Sequence, residues 1–269
     1  MANVGTDMQK SKWFLIRKPK PDAAFRLFCF PYAGGSAASY AAWDDLLPDS
    51  IELVAIQPPG RANRMDEDLL TSVGQMAQHV AEAIPPLLDR PYMIYGHSLG
   101  SAVSFELLHA LKERELPLPF KHICGARRAP QNAPRIPPIH DYPLEKFKTE
   151  LRESYGTPEI VLNSAELMEI FAPILRTDFK AAYTYLRKPA FKFDVDVAVF
   201  GGARDDKVLM EDMAGWQEHF VKPVDFKVFE GGHMFLDTNR ELVVGAIRAS
   251  FEAEHPEKTP CSIDQFPAS

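Results

Sequence analysis

The stretch Tyr95-Gly-His-Ser-Leu-Gly-Ser101 says most about the fold of this chain. It follows the apolar run Tyr92-Met-Ile94 and precedes a helical pattern, so a Gly-x-Ser-x-Gly turn lies between a predicted strand and a predicted helix. A serine on such a turn has a strained backbone, and the glycines on either side remove the Cβ atoms that would collide there. An ordinary strand-to-helix turn with two convenient glycines is the alternative. The flanking elements favour Ser98 as a catalytic nucleophile.

The composition is that of a folded protein with a substantial core. The chain has 269 residues, of which 46% are hydrophobic and 25% are charged, which fits one large α/β domain or two small ones. We predict a single domain over residues 1–254. Residues 255–269 are polar and contain three prolines, so we predict a disordered tail there.

Charge, apolar runs and cysteines exclude several classes of protein. The net charge of −7 argues against a general nucleic-acid binder. No apolar run approaches the roughly 18 residues needed to cross a membrane, and the N-terminal residues lack the apolar stretch of a signal peptide. Cys29 and Cys124 lie in strand-like runs, where cysteine is usually a small buried hydrophobe, and Cys261 forms no disulfide framework with them. We therefore expect a cytoplasmic protein with neither a membrane nor a nucleic-acid partner.

Short apolar runs alternate with helical patterns along the chain. The predicted strands are residues 27–30, 53–56, 92–95, 122–125 (the weakest), 195–200 and 226–229. The predicted helices are residues 37–47, 72–88, 99–115, 209–220 and 239–252. This alternation indicates an α/β fold with a mainly parallel sheet and helices on both of its faces. The nearly continuous hydrophobicity of the strands agrees, because such strands are buried on both sides.

One segment, residues 141–188, interrupts this alternation with helical periodicity and no strand signal. Its apolar positions follow one helical face: Leu167, Ile170, Phe171, Ile174 and Leu175. Pro173 lies inside the pattern and predicts either a kink or two helices. An all-helical insertion between two strands is typical of a lid above the sheet edge where ligands bind. A purely structural helical extension is the alternative.

The partners of a serine nucleophile in such a fold come later in the chain, first an acid and then a histidine. Asp205 and Asp206 follow a predicted strand in a glycine-rich turn, whose spacing favours Asp205. His233 comes after two glycines on the loop that follows the last strand, whereas His97 is the variable residue of the nucleophile turn. An imidazole must take the serine proton and a carboxylate must fix its tautomer. We therefore predict a triad of Ser98, Asp205 and His233.

An oxyanion hole needs two donors directed at the charge that develops on the carbonyl oxygen. We predict the backbone N–H of Leu99, directly after the nucleophile, as one of them. The other is the N–H of Ala33, in the glycine-rich loop 30–36 that follows an early strand. No metal-binding His-Glu-x-x-His and no phosphate-binding Gly-x-x-x-x-Gly-Lys motif occurs. We expect no cofactor and no metal.

Four motifs occur in a fixed order along the chain. They are Phe30-Pro-Tyr-Ala-Gly-Gly-Ser36, Gln57-Pro-Pro-Gly-Arg61, Gly96-His-Ser-Leu-Gly100 and Gly231-Gly-His-Met-Phe-Leu236. Together they resemble the type II thioesterases, the stand-alone editing enzymes of nonribosomal peptide and polyketide synthases. The resemblance runs from about Phe25 to Phe251 and includes Ala129-Pro130 and Leu175-Arg-Thr-Asp-Phe179.

The resemblance implies an α/β-hydrolase fold, a Ser–Asp–His triad and a substrate held as an acyl thioester on the phosphopantetheine arm of a carrier protein. The chain departs from the family pattern at Asp206, where many relatives have proline. Three other activities stay open. They are a carboxylesterase or lipase, an acyltransferase that uses an alcohol or amine in place of water, and a carrier-binding protein without catalytic activity.

We expect a monomer whose partner is an acyl- or peptidyl-carrier protein. Carrier proteins are usually acidic, as is this chain, so a local basic surface must offset the repulsion between them. The candidates are Arg61, Arg64, Arg127 and Arg128. Scattered, solvated charges without a docking role are the alternative.

Overall fold

The computed structural model describes residues 11–254, whose strands form a seven-stranded sheet in the order β1-β3-β2-β4-β5-β6-β7. The strands are β1 (Phe14–Leu15), β2 (Phe25–Phe30), β3 (Ile51–Ile56), β4 (Tyr92–His97), β5 (Lys121–Gly125), β6 (Asp196–Gly202) and β7 (Asp225–Phe229). All neighbouring pairs are parallel except β1 with β3. The predicted α/β fold with a mainly parallel sheet is confirmed.

The central strands are buried throughout because helices cover both of their faces. Every residue of β2, β3 and β4 is buried, as expected for parallel strands between two helical layers. The sequence did not predict β1. That strand has two residues and lies at an edge, so it is too short to show a periodicity.

The helices of the described residues are α1 (Val73–Ala83), α2 (Leu99–Glu113), α3 (Leu144–Tyr155), α4 (Glu159–Leu162), α5 (Ala165–Thr184), α6 (Met210–Ala214), α7 (Phe235–Thr238) and α8 (Arg240–Glu254). Two predicted helices are partly or wholly 3₁₀ helix, over Ala37–Trp43 and Gly215–His219. The helix predicted over 72–88 ends as α-helix at Ala83 and continues as a 3₁₀ helix over Pro85–Leu87, because Pro85 and Pro86 have no N–H to continue the α-helical hydrogen bonds.

Alternation along β4 divides its side chains between two apolar layers. Ile94 packs with α1 and α2 on one face of the sheet. Tyr95 packs on the other face, with Trp43 and with Val244 of α8. Parallel strands end at the same edge of a sheet, so the loops after β2, β4, β6 and β7 meet at one edge.

The helical insertion lies between β5 and β6 and consists of α3, α4 and α5. It has an apolar cluster of its own, which includes Phe147, Leu162 and Phe179. The alternative of two helices at Pro173 was wrong, since α5 is assigned as one helix across this residue. Proline removes one backbone hydrogen bond, and Pro173 is exposed, so water can bind the carbonyl that is left free.

The structure leaves one prediction outside the described residues and bears on two others. The disordered tail predicted for residues 255–269, including Cys261, lies there. Cys29 and Cys124 are free and buried, as predicted. No helix within residues 11–254 is long and apolar enough to cross a membrane.

Buried histidines should make this fold sensitive to acid. Burial lowers the pKa of His97 and of His122 to about 3, and burial with the nearby Arg187 lowers the pKa of His109 to about 3. The unfolded chain binds protons below about pH 6.5, whereas the folded protein excludes them until about pH 3. Stability is therefore complete above pH 6.5 and falls as the pH decreases toward 3, by up to about 1.4 kcal/mol per pH unit for each histidine.

His122→Asn should reduce the pH dependence of the unfolding free energy by the contribution of one buried histidine. The slope of the unfolding free energy against pH, from urea melts between pH 4.5 and 6.5, measures the effect independently of any loss of stability at neutral pH. His79→Asn is the control, because the side chain of His79 is half exposed. An unchanged slope for the His122 variant would contradict the prediction.

Candidate active site

Ser98 lies on a sharp turn between β4 and α2, in backbone geometry that non-glycine residues rarely adopt. Its φ is 54° and its ψ is −110°, and its N–H donates to the carbonyl of Gly125 on β5, with an N···O distance of 2.8 Å. A Cβ on Gly96 would lie 2.4 Å from the Gly100 carbonyl oxygen, and one on Gly100 would lie 2.1 Å from the Phe30 carbonyl oxygen. The two glycines allow the chain to turn where β4 meets its neighbours.

His233 and Asp205 reach Ser98 from the loops after β7 and β6. The Nε2 atom of His233 lies 2.9 Å from Oγ of Ser98, and its Nδ1 atom lies 2.9 Å from Oδ2 of Asp205. His233 and Asp205 are each 6% exposed. The structure thus brings the three predicted triad residues together in one hydrogen-bonded chain.

The hydrogen bonds around Asp205 favour its ionised carboxylate, which accepts hydrogen bonds. Its Oδ1 accepts from the N–H groups of Lys207, at 2.9 Å, and Val208, at 3.2 Å. Burial by itself would raise the pKa of the Asp205 carboxyl, but the hydrogen bonds from His233 and the two amides outweigh it and lower the pKa. With this carboxylate ionised, Nδ1 of His233 carries the proton and Nε2 is free to accept from Ser98.

Asp206, the alternative acid, does not reach the histidine. Its carboxylate is exposed and lies 3.3 Å from Nζ of Lys207. The two neighbouring aspartates therefore have different surroundings, one inside the hydrogen-bonded chain and one at the surface.

His97, interpreted from the sequence as a variable residue, has a defined position beside His233. Its Nε2 lies 2.8 Å from the backbone carbonyl of His233 and its Nδ1 lies 3.0 Å from the hydroxyl of Tyr95. A carbonyl only accepts, so Nε2 carries the proton and Nδ1 accepts from the tyrosine. Burial lowers the pKa of His97 to about 3 and keeps the ring neutral. Sequence reasoning missed this contact because its partner lies 136 residues away.

Of the two predicted oxyanion donors, Leu99 directly follows the nucleophile in the chain and Ala33 lines the cavity beside it. Leu99 is the first residue of α2, so its N–H has no acceptor within the helix. Ala33 lines the same cavity as Ser98 and His233, in a turn closed by the Gly35 N–H, which donates to the Tyr32 carbonyl at 2.9 Å.

An apolar cavity of about 430 Å³ opens beside Ser98. Its walls come from the loops at the sheet edge and from the helical insertion. The lining residues from the insertion are Leu151, Tyr155, Gly156, Thr157, Pro158, Val161, Phe171, Leu175 and Phe179. The ring of Tyr155 contacts the ring of His233 edge-on, with centroids 5.5 Å apart. The insertion therefore covers the nucleophile and supplies most of the apolar wall.

A second, narrower cleft of about 50 Å³ also reaches Ser98 and His233. It differs from the first in its basic lining, which includes Arg127, Arg128 and Lys207. The site is thus a junction between an apolar cavity and a cleft with cationic walls.

The prediction that four arginines form an exposed docking surface was wrong for all four, which are buried. Arg127 donates to the Ala182 carbonyl and Arg128 to the Asn132 carbonyl, each at 2.8 Å. Arg64 donates to the Gln57 carbonyl and pairs with the carboxylate of Glu67, and Arg61 pairs with Asp178. Arg64 thus bonds within its own loop, whereas Arg61 and Arg127 join their loops to α5. The sequence does not reveal these roles because most of the acceptors are backbone carbonyls.

Within residues 11–254, no group of three or more histidine, cysteine, aspartate or glutamate side chains is arranged to hold a metal ion. The chemistry available at this site is that of a serine hydroxyl, an imidazole and a carboxylate in sequence.

The chain is similar to known proteins over most of its length. The family model of the thioesterase domain matches residues 25–251. The gramicidin S biosynthesis protein GrsT of Aneurinibacillus migulanus is 38% identical over 228 residues, which cover 85% of this chain and 89% of that protein. Thioesterase PikA5 of Streptomyces venezuelae is 37% identical over 239 residues, which cover 88% of this chain and 84% of that protein.

A solved structure has the same fold. The type II thioesterase BorB from the borrelidin biosynthetic cluster superposes with a TM-score of 0.80 at 30% identity, over 88% of this chain and 96% of that one. The chain therefore belongs to the thioesterase domain family, and it is an α/β-hydrolase enzyme of the type II thioesterase group that its motifs indicated.

Proposed function

We propose that Ser98 is the nucleophile, His233 the general base and acid, and Asp205 the residue that orients His233. The observation that carries this proposal is the chain of two 2.9 Å hydrogen bonds that joins the three side chains beside the apolar cavity. The exposed position of Asp206 supports Asp205 as the acid.

The reaction has two halves. His233 takes the hydroxyl proton as Oγ of Ser98 attacks the thioester carbonyl carbon. The C–S bond then breaks, the thiol leaves with the proton from His233, and the acyl group stays on Ser98 as an ester. Water attacks this ester, gives its proton to His233 and releases a free acid, and the proton returns to Ser98. A thiolate leaves easily, so proton donation to the leaving group matters less than it does in amide cleavage.

The N–H groups of Ala33 and Leu99 form the proposed oxyanion hole. In each tetrahedral intermediate the former carbonyl oxygen becomes negative, and preorganised donors stabilise that charge more than they stabilise the substrate. A single donor of this kind contributes about 3–4 kcal/mol to the transition state.

The two cavities suggest how an acyl thioester lies at Ser98, with its acyl chain on one side of the thioester and its phosphopantetheine arm on the other. The apolar cavity takes the acyl chain, with residues 141–188 as its lid, because its walls are mainly hydrocarbon. The cleft lined by Arg127, Arg128 and Lys207 takes the other arm, whose phosphodiester is anionic. Both arms then meet at the thioester carbon.

The proposed substrate is an acyl group on the phosphopantetheine arm of an acyl- or peptidyl-carrier protein in a nonribosomal peptide or polyketide pathway. The pathway names of GrsT and BorB support this class of substrate. Docking of the carrier protein on an exposed surface of the four arginines is no longer part of the proposal, because they are buried, and Arg127 and Arg128 enter it only as walls of the narrow cleft. A monomeric state and a cytoplasmic location stay predictions.

The test of this function is a comparison of three substrates that carry the same acyl group: an acyl-carrier protein, an acyl-CoA and an oxygen ester. We expect kcat/KM to be highest for the carrier thioester, measured by mass spectrometry as loss of the acyl group and release of free acid. If kcat/KM were instead highest for the oxygen ester, the result would favour a carboxylesterase. Acyl transfer to an added alcohol or amine in place of water would favour an acyltransferase.

Replacement of each triad residue should give a ranked loss of activity. Ser98→Ala and His233→Ala should lower kcat to near background, and the double variant should be little worse because triad residues act as a unit. Asp205→Asn should lower kcat by up to about 10⁴-fold, since it favours the wrong histidine tautomer. Asp206→Asn is the matched control and should stay close to wild type. The reverse order of the two aspartate variants would move the role to Asp206.

Phe171→Ser should change which acyl chain is preferred more than it changes stability. Phe171 lines the apolar cavity and is only partly buried, so a small polar side chain lengthens the cavity and makes its wall less apolar. The ratio of kcat/KM values for a short and a long acyl thioester measures the effect, with the melting temperature alongside. Ile170→Ser is the control, because Ile170 is exposed on the same helix. Equal chain-length ratios in the two variants would contradict the role of α5 in the acyl cavity.

A further inference from the structure

Ala33 lies in a tight turn over residues 32–35. Gly35 N–H closes the turn on the Tyr32 carbonyl, and Gly34 at its third position has a φ of +76°, which is characteristic of a type II turn. Ala33 is the second residue, so the direction of its N–H depends on the orientation of the peptides of this turn. A small rotation of the turn would direct the proposed oxyanion donor away from Ser98.

An ion pair from two other parts of the chain binds this turn on both sides. Oδ2 of Asp178 accepts from the Gly34 N–H at 2.8 Å, and Nη1 of Arg61 donates to the Gly35 carbonyl at 3.3 Å. The two side chains also bind each other, with Nη1 to Oδ2 at 2.5 Å and Nη2 to Oδ1 at 3.0 Å. Asp178 is completely buried and Arg61 is 5% exposed. This bidentate geometry fixes the relative orientation of the two groups.

The helix that carries Asp178 also packs directly on the turn. A Cβ on Gly34 would lie 2.4 Å from Cδ2 of Leu175, one turn before Asp178 on α5. Glycine is therefore needed at position 34 for its positive φ and for the close approach of α5. The turn lies between the ion pair and this leucine and has little space in which to rotate.

We infer that Asp178 is a positioning residue of the oxyanion hole, whose carboxylate, held by Arg61, fixes the turn that directs the Ala33 N–H at the reacting carbonyl. The inference rests on the proposed function, since it assigns the purpose of a structural contact from the roles of Ser98 and Ala33. It goes beyond that function by giving α5 of the insertion a part in transition-state stabilisation.

A buried ion pair is weak evidence for stability, because removing two charges from water offsets most of their attraction. The pair does hold groups from three separate segments in one geometry, with both carboxylate oxygens in use. An oxyanion hole needs this kind of fixed geometry, because its donors stabilise the transition state only when they are already oriented. A positioning role therefore accounts for the pair better than a stabilising one.

The variant that separates the two roles is Asp178→Leu/Arg61→Met, which replaces both buried charges by apolar side chains. Such replacements are often neutral for stability, so the protein should melt close to wild type. The Gly34 N–H then loses its acceptor, and the turn loses the contacts that fix the orientation of its central peptide. We expect kcat on a short acyl thioester to fall by ~10²-fold, with little change in KM because the acyl cavity is intact.

An alkyl boronic acid gives a readout that a structural role would not change. It adds to the serine hydroxyl as a tetrahedral adduct, one oxygen of which occupies the oxyanion hole. Its affinity should fall by ~10²-fold, in parallel with kcat. Because this binding needs neither a carrier nor a thioester, its result remains interpretable if the proposed carrier substrate proves wrong.

Glu52→Gln is the matched control. Glu52 is a buried carboxylate that pairs with Arg26, with Oε2 to Nε at 2.7 Å, near the start of β3 and thus at the opposite end of the sheet from Ser98. It should change the melting temperature while kcat and boronate affinity stay at wild-type values.

Two results would overturn the inference. One is wild-type kcat and boronate affinity in the folded double variant, which would make the pair structural only. The other is a loss of kcat with unchanged boronate affinity, which would exclude an effect through the oxyanion hole. If the double variant does not fold, Asp178→Leu/Arg61→Gln takes its place, because it also removes the acceptor of the Gly34 N–H and leaves no buried charge unpaired. Parallel losses of kcat and boronate affinity in that variant support the inference, and either of the two results above overturns it.

Discussion

The left-handed backbone of Ser98 is the constraint on which the rest of the active site depends. A residue with φ of 54° needs neighbours that prevent it from relaxing, and here these are the Gly125 carbonyl and the close contact of Gly100 with Phe30. The strained turn directs the serine hydroxyl outward from the sheet edge. The other two residues of the proposed triad come to this point from loops at the same edge.

The groups around that hydroxyl are buried polar atoms, and the site is ordered because nearly all of them have a partner. His97 uses both ring nitrogens, and Asp205 uses both carboxylate oxygens. An unpaired polar group at this depth would cost free energy and leave its neighbours free to move. The pairing thus restricts His233 to one tautomer and one position, with its backbone held by His97 and its ring by Asp205.

The fold and the proposed triad could be predicted from the sequence because their signals are local. A strand of continuous apolar residues, a Gly-x-Ser-x-Gly turn and a glycine-flanked histidine can each be recognised within a few neighbouring residues. The roles of Asp178, Arg61 and His97 could not be predicted. Arg61 and Asp178 lie 117 residues apart, and an arginine whose acceptors are a distant carboxylate and a carbonyl has the same local sequence as a solvated one. The burial of the four arginines was unpredictable for this reason.

The insertion has two roles in this proposal: it lines the acyl cavity, and it contacts the turn that carries Ala33. Its cavity-lining side chains, such as Phe171, meet the acyl group and can change with the substrate without effect on the oxyanion turn. Leu175 and Asp178 lie on the same helix but contact the turn itself, so the inference above requires them to stay in place for any acyl group. A helix that does both must keep Leu175 and Asp178 against the turn, while other side chains that line the cavity, such as Phe171, can differ with the acyl group.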